Sequence, residues 1–145
     1  MINWSDIEHF FRTEAVAHLA TLGKDGGPRS VPVWISLHGD PGDSADGARR
    51  LVFFTAAGAA KDRNLVRDRR LALSITAPGQ SLNMATVRGE VIERLTGADA
   101  MVLVDRISHE YTGKPYFERE GLVAFIIHPT AWWAHDFSVD EGERT

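Results

Sequence analysis

The side chains best placed for chemistry sit together. Lys61, Arg63 and Asn64 follow five small residues, Ala56–Ala60. A stretch without large side chains lets the backbone approach a ligand closely. A helix starting there leaves backbone N–H groups unpaired, and Lys61 and Arg63 add positive charge beside them. That combination suits a phosphate or another anion. The same residues also fit a plain strand–helix–strand connection whose basic face points into water.

Other catalytic patterns are weak. The six histidines contain no His-x-x-x-His pair, so no metal site is expected. His18 lies inside an apolar strand and reads as a structural histidine. No Gly-x-Ser-x-Gly elbow, phosphate-binding Gly-Lys-Thr or Gly-Lys-Ser loop, or Gly-x-Gly-x-x-Gly after the first strand is present. With no cysteine, a thiol nucleophile and a disulfide are both excluded. Carboxylates are scattered, and no catalytic side chain can be assigned. Chemistry carried by a bound cofactor fits better than acid–base hydrolysis.

The elements that must position these residues are mostly strands. Leu51–Thr55 and Leu71–Ile75 flank a short helix that runs from Lys61 to about Asp68. Ser5 to Glu8 has the form of a capping box ahead of a helix through Phe11. Ala15–Leu22 and Arg29–Leu37 form strands around the hairpin signal Asp25-Gly26-Gly27. Pro32 lacks an N–H and marks an edge or a break in pairing. Gly39–Ala48 reads as a polar, glycine-rich loop. Asn83–Leu95 is a long strand with Gly89 at its middle. Thr96 caps a helix from Gly97 to about Glu110, and Tyr111–Pro115 forms a loop. Leu122–His128 is the last apolar strand, which Ala131–Phe137 continues after Pro129.

With 145 residues and 43% apolar content, the chain suits one domain, 1–145. A net charge of −4 argues against nucleic acid as a partner. No apolar run reaches membrane-spanning length, and Met1–Phe10 lacks a signal-peptide pattern, so no membrane association and a cytoplasmic location are expected. Six strands joined mainly by turns predict a mainly β protein with short helices, closed as a small barrel. Trp132 and Trp133 are neighbours on a strand and point to opposite faces. One can join the core, and the other would be exposed unless a partner subunit covers it.

The order of these motifs resembles the split-barrel, flavin-binding family of pyridoxamine 5′-phosphate oxidase-like proteins. The short flavin- or deazaflavin-dependent oxidoreductases are the nearest branch. The matching runs are His18–Leu22, Asp25–Arg29, Ser30–Trp34, Leu51–Thr55, Lys61–Leu65, Arg67–Leu73, Val87–Val91 and Tyr111–Gly113. The resemblance spans about Ser5 to Phe137. It implies a six-stranded, homodimeric split β-barrel with cofactor sites at the subunit interface. By this resemblance Ser30, Val31, Pro32, Val33 and Trp34 line the cofactor ring. Thr55 and Ala56 lie near its phosphate and ribityl chain, and Lys61 binds the phosphate. Arg63 and Asn64 form the helix start behind it, and Arg88 and Gly89 pass beside the cofactor. Trp132 and Trp133 come from the other chain. Many relatives carry an arginine just before the lysine, where this chain has Ala59 and Ala60.

The resulting expectation is an oxidoreductase that moves a hydride between a bound cofactor and a small organic substrate. The deazaflavin coenzyme F420 is favoured over FMN by the short chain, the Lys-x-Arg-Asn-Leu stretch and an arginine- and alanine-rich composition typical of a GC-rich genome. An FMN-dependent pyridoxamine 5′-phosphate oxidase-like enzyme and a non-catalytic flavin- or haem-binding module are the alternatives, since a fold does not fix a function.

Overall fold

The computed structural model describes residues 2–39 and 50–135. Helix α1 (Ser5–Glu8) runs into a 3₁₀ turn at His9–Arg12. Strands β1 (Ala17–Leu22), β2 (Pro28–Val33), β3 (Ile35–His38) and β4 (Arg50–Ala56) follow. Then come α2 (Ala60–Arg67), β5 (Arg70–Ala77), β6 (Gln80–Leu95), α3 (Gly97–Thr112) and β7 (Leu122–His135).

The strands form one antiparallel sheet in the order β2-β1-β5-β6-β7-β4-β3. Its two edge strands, β2 and β3, are separated in the chain by Trp34 alone. A sheet whose first and last strands are joined by one residue has to curl until they adjoin, and this produces the split barrel. The expected six strands become seven because Arg29–Leu37 divides at Trp34. Upstream, β2 pairs with β1, and downstream, β3 pairs with β4. The Tyr111 hydroxyl sits at this seam. It accepts the Ile35 N–H at 3.1 Å and lies 2.7 Å from the Ala15 carbonyl oxygen and 3.0 Å from that of Ile35. The hydroxyl thereby links backbone groups of β3 to the segment before β1.

The inside of the curl is apolar. Leu19, Ile35, Leu51, Phe53, Ile75, Phe125 and Ile127 are almost fully buried, and Ile7, Phe10 and Phe11 plug one end. Each such side chain contributes roughly 1.5–3 kcal/mol by leaving water. A second cluster lies on the outer face of β4 and β7, where Val52, Ala124 and Ile126 meet Ala100, Leu103 and Ile107 of α3. Among the described residues no helix is long and apolar enough to cross a membrane.

Several local expectations change. Ser5 lies inside α1 and makes no capping bond. Asp6 Oδ2 accepts the Asn3 N–H instead, and Glu8 pairs with Arg12. Thr96 holds the N-cap position of α3 without a side-chain bond, and the helix extends through Tyr111 and Thr112 to Gly113 at φ 76°. His18 is exposed, because Ala17, Leu19 and Thr21 take the inward face of β1. The strand predicted from Asn83 begins at Gln80, and Pro129 lies within a continuous β7. The stretch 40–48 and Phe137 lie outside the described residues.

Candidate functional site

The site is built on the turn between β4 and α2. Gly58 adopts φ 81°, a conformation suited to glycine. Its N–H donates to Asp62 Oδ2 at 2.8 Å, and its carbonyl accepts a 3.0 Å bond from Arg63. Asp62, only 4% exposed, also accepts two 2.8 Å bonds from the Arg94 guanidinium of β6. Those bonds hold its carboxyl below the ordinary range, and the Gly58 N–H adds to the effect. The small-residue turn is thus anchored by a buried carboxylate at the third position of α2. Asn64 braces the helix from below, donating to Thr21 Oγ1 at 3.0 Å.

Lys61 emerges from this anchored turn into a cleft of about 520 Å³. Pro32, Val33 and Trp34 from the β2–β3 bend form one wall, and Phe54, Thr55 and Ala56 from the end of β4 form another. Tyr116 and Glu118 contribute from the segment after α3, Leu122 from the start of β7, and Val16 from before β1. The aromatic wall is tightly ordered. Trp34 stacks on Tyr111 at 5.0 Å and 12°, and Phe54 meets Tyr116 edge-on at 4.8 Å and 72°. Asp105 fixes the Tyr116 segment by accepting the Tyr116 N–H at 3.0 Å and forking with Arg119 at 2.7 and 2.9 Å.

The Lys61 side chain makes no ion pair or hydrogen bond among the described residues. Burial holds its ammonium below the usual range, and the Arg29 guanidinium pushes it further down. Arg29 lines a neighbouring cleft of about 410 Å³ between the β1–β2 hairpin and α2, with Lys24, Arg63 and Arg67. One carboxylate, Asp25, shares that cleft and accepts the Gly27 N–H in the hairpin turn. Four cations against one carboxylate, in a chain of net charge −4, form a local concentration of positive charge.

Of the residues singled out in the sequence, Pro32, Val33, Trp34, Thr55, Ala56 and Lys61 come together in one cleft. Ser30 is exposed on β2, and Val31 packs on the core; neither lines that cleft. Arg63 lines the basic cleft, and Asn64, 6% exposed there, is engaged with Thr21 and Arg67. Arg88 lies on the outer face in a small apolar groove with Ala20 and Ala72. Gly89 is enclosed: a Cβ there would lie 2.7 Å from the His128 carbonyl oxygen, at the bulge that accommodates Pro129. Trp132 turns inward, donating to the Ile2 carbonyl at 2.8 Å and meeting Trp4 edge-on. Trp133 points outward and is 45% exposed. Sequence reasoning missed Asp62, Arg29, Tyr116 and Glu118. Asp62 alone carried a signal, as an acidic residue in the first turn of a helix.

The donor set fits a flat ring with an attached phosphate: an unpaired, partly buried ammonium beside a small-residue turn, and aromatic walls for the ring. The described residues contain no cluster suited to a metal ion.

The protein is similar in fold to several solved structures. An F420 reductase matches with 22% identity over 87% of this chain and 94% of its own, at a TM-score of 0.71. The conserved hypothetical protein Rv2991 of Mycobacterium tuberculosis matches with 21% identity over 94% of this chain and 86% of its own, at 0.69. HupZ of Group A Streptococcus matches with 14% identity over 92% and 94%, at 0.66. No curated protein matches the sequence. The sequence family described as pyridoxamine 5′-phosphate oxidase matches residues 4–136, nearly the full length. The chain therefore belongs to the pyridoxamine 5′-phosphate oxidase family of flavin-type oxidoreductases.

Proposed function

We propose that this protein is an oxidoreductase that binds a flavin-type cofactor in the Lys61 cleft and exchanges a hydride with a small organic substrate. The observation that carries this reading is the unpaired, desolvated Lys61 ammonium at the edge of an aromatic-walled cleft. A cofactor phosphate would neutralise it and relieve its repulsion with Arg29. When bound, the cofactor supplies a ring that takes or gives a hydride. The protein's own part is to hold and shield it. Trp34, Phe54 and Tyr116 provide apolar surface that excludes water, and the β2–β3 bend offers backbone groups beside the ring.

The deazaflavin F420 is preferred to FMN. Its anionic tail continues beyond the phosphate, and the basic cleft next to Lys61 supplies charge for such a tail. The residues suited to this are Lys24, Arg29, Arg63 and Arg67. Arg70 is engaged with Asp68 at 2.7 Å, a contact that lowers the Asp68 carboxyl to about 2.

We also propose a homodimer. The outer face of β1, β5, β6 and β7 presents His18, Ser74, Thr86 and Trp133 in one row, all four exposed. An exposed row with a large aromatic in it suits burial against a second copy.

The test is a visible absorption spectrum of the purified protein, followed by fluorescence titration with FMN and with F420. Saturable binding of either, lost on mutating Lys61, supports the reading. No binding of either overturns it.

A further inference from the structure

Two histidines flank Arg50 on the outer face of the sheet, away from the Lys61 cleft. His38 is the cross-strand partner of Arg50 between β3 and β4, and His128 is that of Glu90 between β7 and β6. An Arg50 guanidinium nitrogen lies 2.8 Å from His128 Nδ1. Arginine can only donate, so this Nδ1 accepts and the His128 imidazole is neutral. His38 Nδ1 is buried with no hydrogen-bond partner. A charged imidazole carries a proton on both nitrogens, and neither Nδ1 has an acceptor to receive one.

The charged groups around these rings, among the described residues, are Arg50 from β4, Arg106 and Glu110 from α3, and Glu90 and Glu93 from β6. Burial holds the His38 ring below its usual range. Arg106 adds to this, Glu93 partly opposes it, and Arg50 adds again.

The same place fastens α3 to the edge of the sheet. Arg106 donates to the Leu37 carbonyl at 2.6 Å, one residue before His38. Tyr111 of the same helix accepts the Ile35 N–H at the other end of β3. Strand β3 has four residues and pairs with β4 alone. A short edge strand opens locally at lower cost than the interior of a sheet. Trp34, a wall of the cleft, immediately precedes it.

We infer that His38 and His128 form an acid-sensitive latch: proton uptake by the two rings beside Arg50 and Arg106 loosens β3 from α3, and with it the Trp34 wall. This does not depend on which cofactor the cleft holds. The sign follows from His38, whose folded pKa lies below 6.5. Its contribution to closure is complete above 6.5 and is lost as pH falls from there to the folded value.

The test is hydrogen–deuterium exchange of the cofactor-free wild-type protein at pH 7.5 and pH 5.5, corrected for the intrinsic pH dependence of exchange. Protection of Ile35–His38 should fall about fivefold or more at the lower pH, while Leu71–Ile75 of β5 keeps its protection. His38→Gln combined with His128→Gln should abolish the loss. His109→Gln, at an exposed histidine of α3, should retain it. An NMR titration of the wild-type histidine rings needs no variant: the His38 ring should titrate over the pH range in which β3 loses protection. Equal protection of β3 at both pH values overturns the inference. So does a loss shared equally by β5, a loss that survives in the double variant or disappears in His109→Gln, or a His38 ring that titrates outside that range.

Discussion

Asp62 and Arg94 face each other through two parallel 2.8 Å hydrogen bonds that tie the first turn of α2 to the far end of β6. The carboxylate is buried, whereas the guanidinium is 35% exposed. Removing either partner has different consequences. Arg94→Met leaves a buried carboxylate with the Gly58 N–H as its remaining partner, and should destabilise the fold by about 2–3 kcal/mol. Asp62→Asn leaves an arginine that water can reach, and should cost about 1–2 kcal/mol. The pH dependence has a definite sign. The folded pKa of Asp62 lies below its ordinary 3.8, so the stabilisation is present above 3.8 and lost as pH falls through the folded value. Acid unfolding curves of wild type and Asp62→Asn should therefore converge at low pH. Curves that stay parallel down to the acid limit would contradict this assignment.

Tyr111 predicts a second stability effect. Its hydroxyl serves Ile35 and Ala15 at the barrel seam, and its ring stacks on Trp34. Tyr111→Phe keeps the ring but strands the Ile35 N–H. The expected cost is about 1–3 kcal/mol, measured by denaturant unfolding. Because Trp34 borders the seam and the cleft together, its fluorescence should also change. Unaltered stability would mean that water replaces the hydroxyl.

The turn that presents Lys61 was legible in the sequence because small residues interrupt two β-prone runs, a contrast visible locally. The division of Arg29–Leu37 was not, since its alternation continues past Trp34, and only pairing with different neighbours reveals two strands. His18 was misread from its apolar neighbours, although the period of two already turned it outward. Tyr116 and Glu118 were invisible for another reason. Their segment has no periodicity, and its position depends on Asp105 and Arg119, fourteen residues apart. Asp62 and Arg94 are separated by thirty-two. Contacts of that range have no signature in a single sequence.

Lys61 separates binding from stability. Its ammonium is desolvated and repelled by Arg29, so Lys61→Met should leave the cofactor-free protein at least as stable as wild type. Lys61→Ala should weaken cofactor binding by about ten- to a hundredfold, the loss of one charge-assisted contact. Arg29→Ala should weaken it less, and Arg63→Ala less again if its bond to the Gly58 carbonyl is its main role. Fluorescence titration of the three variants gives the order. Unchanged affinity in Lys61→Ala would remove the phosphate assignment.

The two neighbouring tryptophans should part company in an assembly experiment. Trp133→Ser removes an outward aromatic anchor, worth about 2 kcal/mol or more at an interface, and should weaken a dimer without unfolding the chain. Trp132→Ser removes the contacts to Trp4 and Ile2 and should lower the melting temperature instead. Sedimentation should give twice the 16.0 kDa chain mass for wild type and a concentration-dependent monomer for Trp133→Ser. A wild-type monomer that binds cofactor fully would rule out a shared site.

Salt dependence should distinguish the two cofactors. FMN and F420 share the ring shape, the ribityl chain and the first phosphate, so both rely on Lys61. Only the deazaflavin has an anionic tail long enough to enter the cleft lined by Lys24, Arg29, Arg63 and Arg67. Screening acts most on exposed charges, and at about 0.1 M ionic strength it extends over roughly 10 Å. Raising salt should therefore weaken F420 binding more steeply than FMN binding. Charge reversal at Arg67 and Arg63 should bring the two slopes together. The deeper Lys61 contact is less screened and should persist in both cases. Side-by-side titrations at low and high salt measure these slopes directly. Equal slopes would place the tail in solvent, and tighter FMN binding at every ionic strength would make FMN the working cofactor.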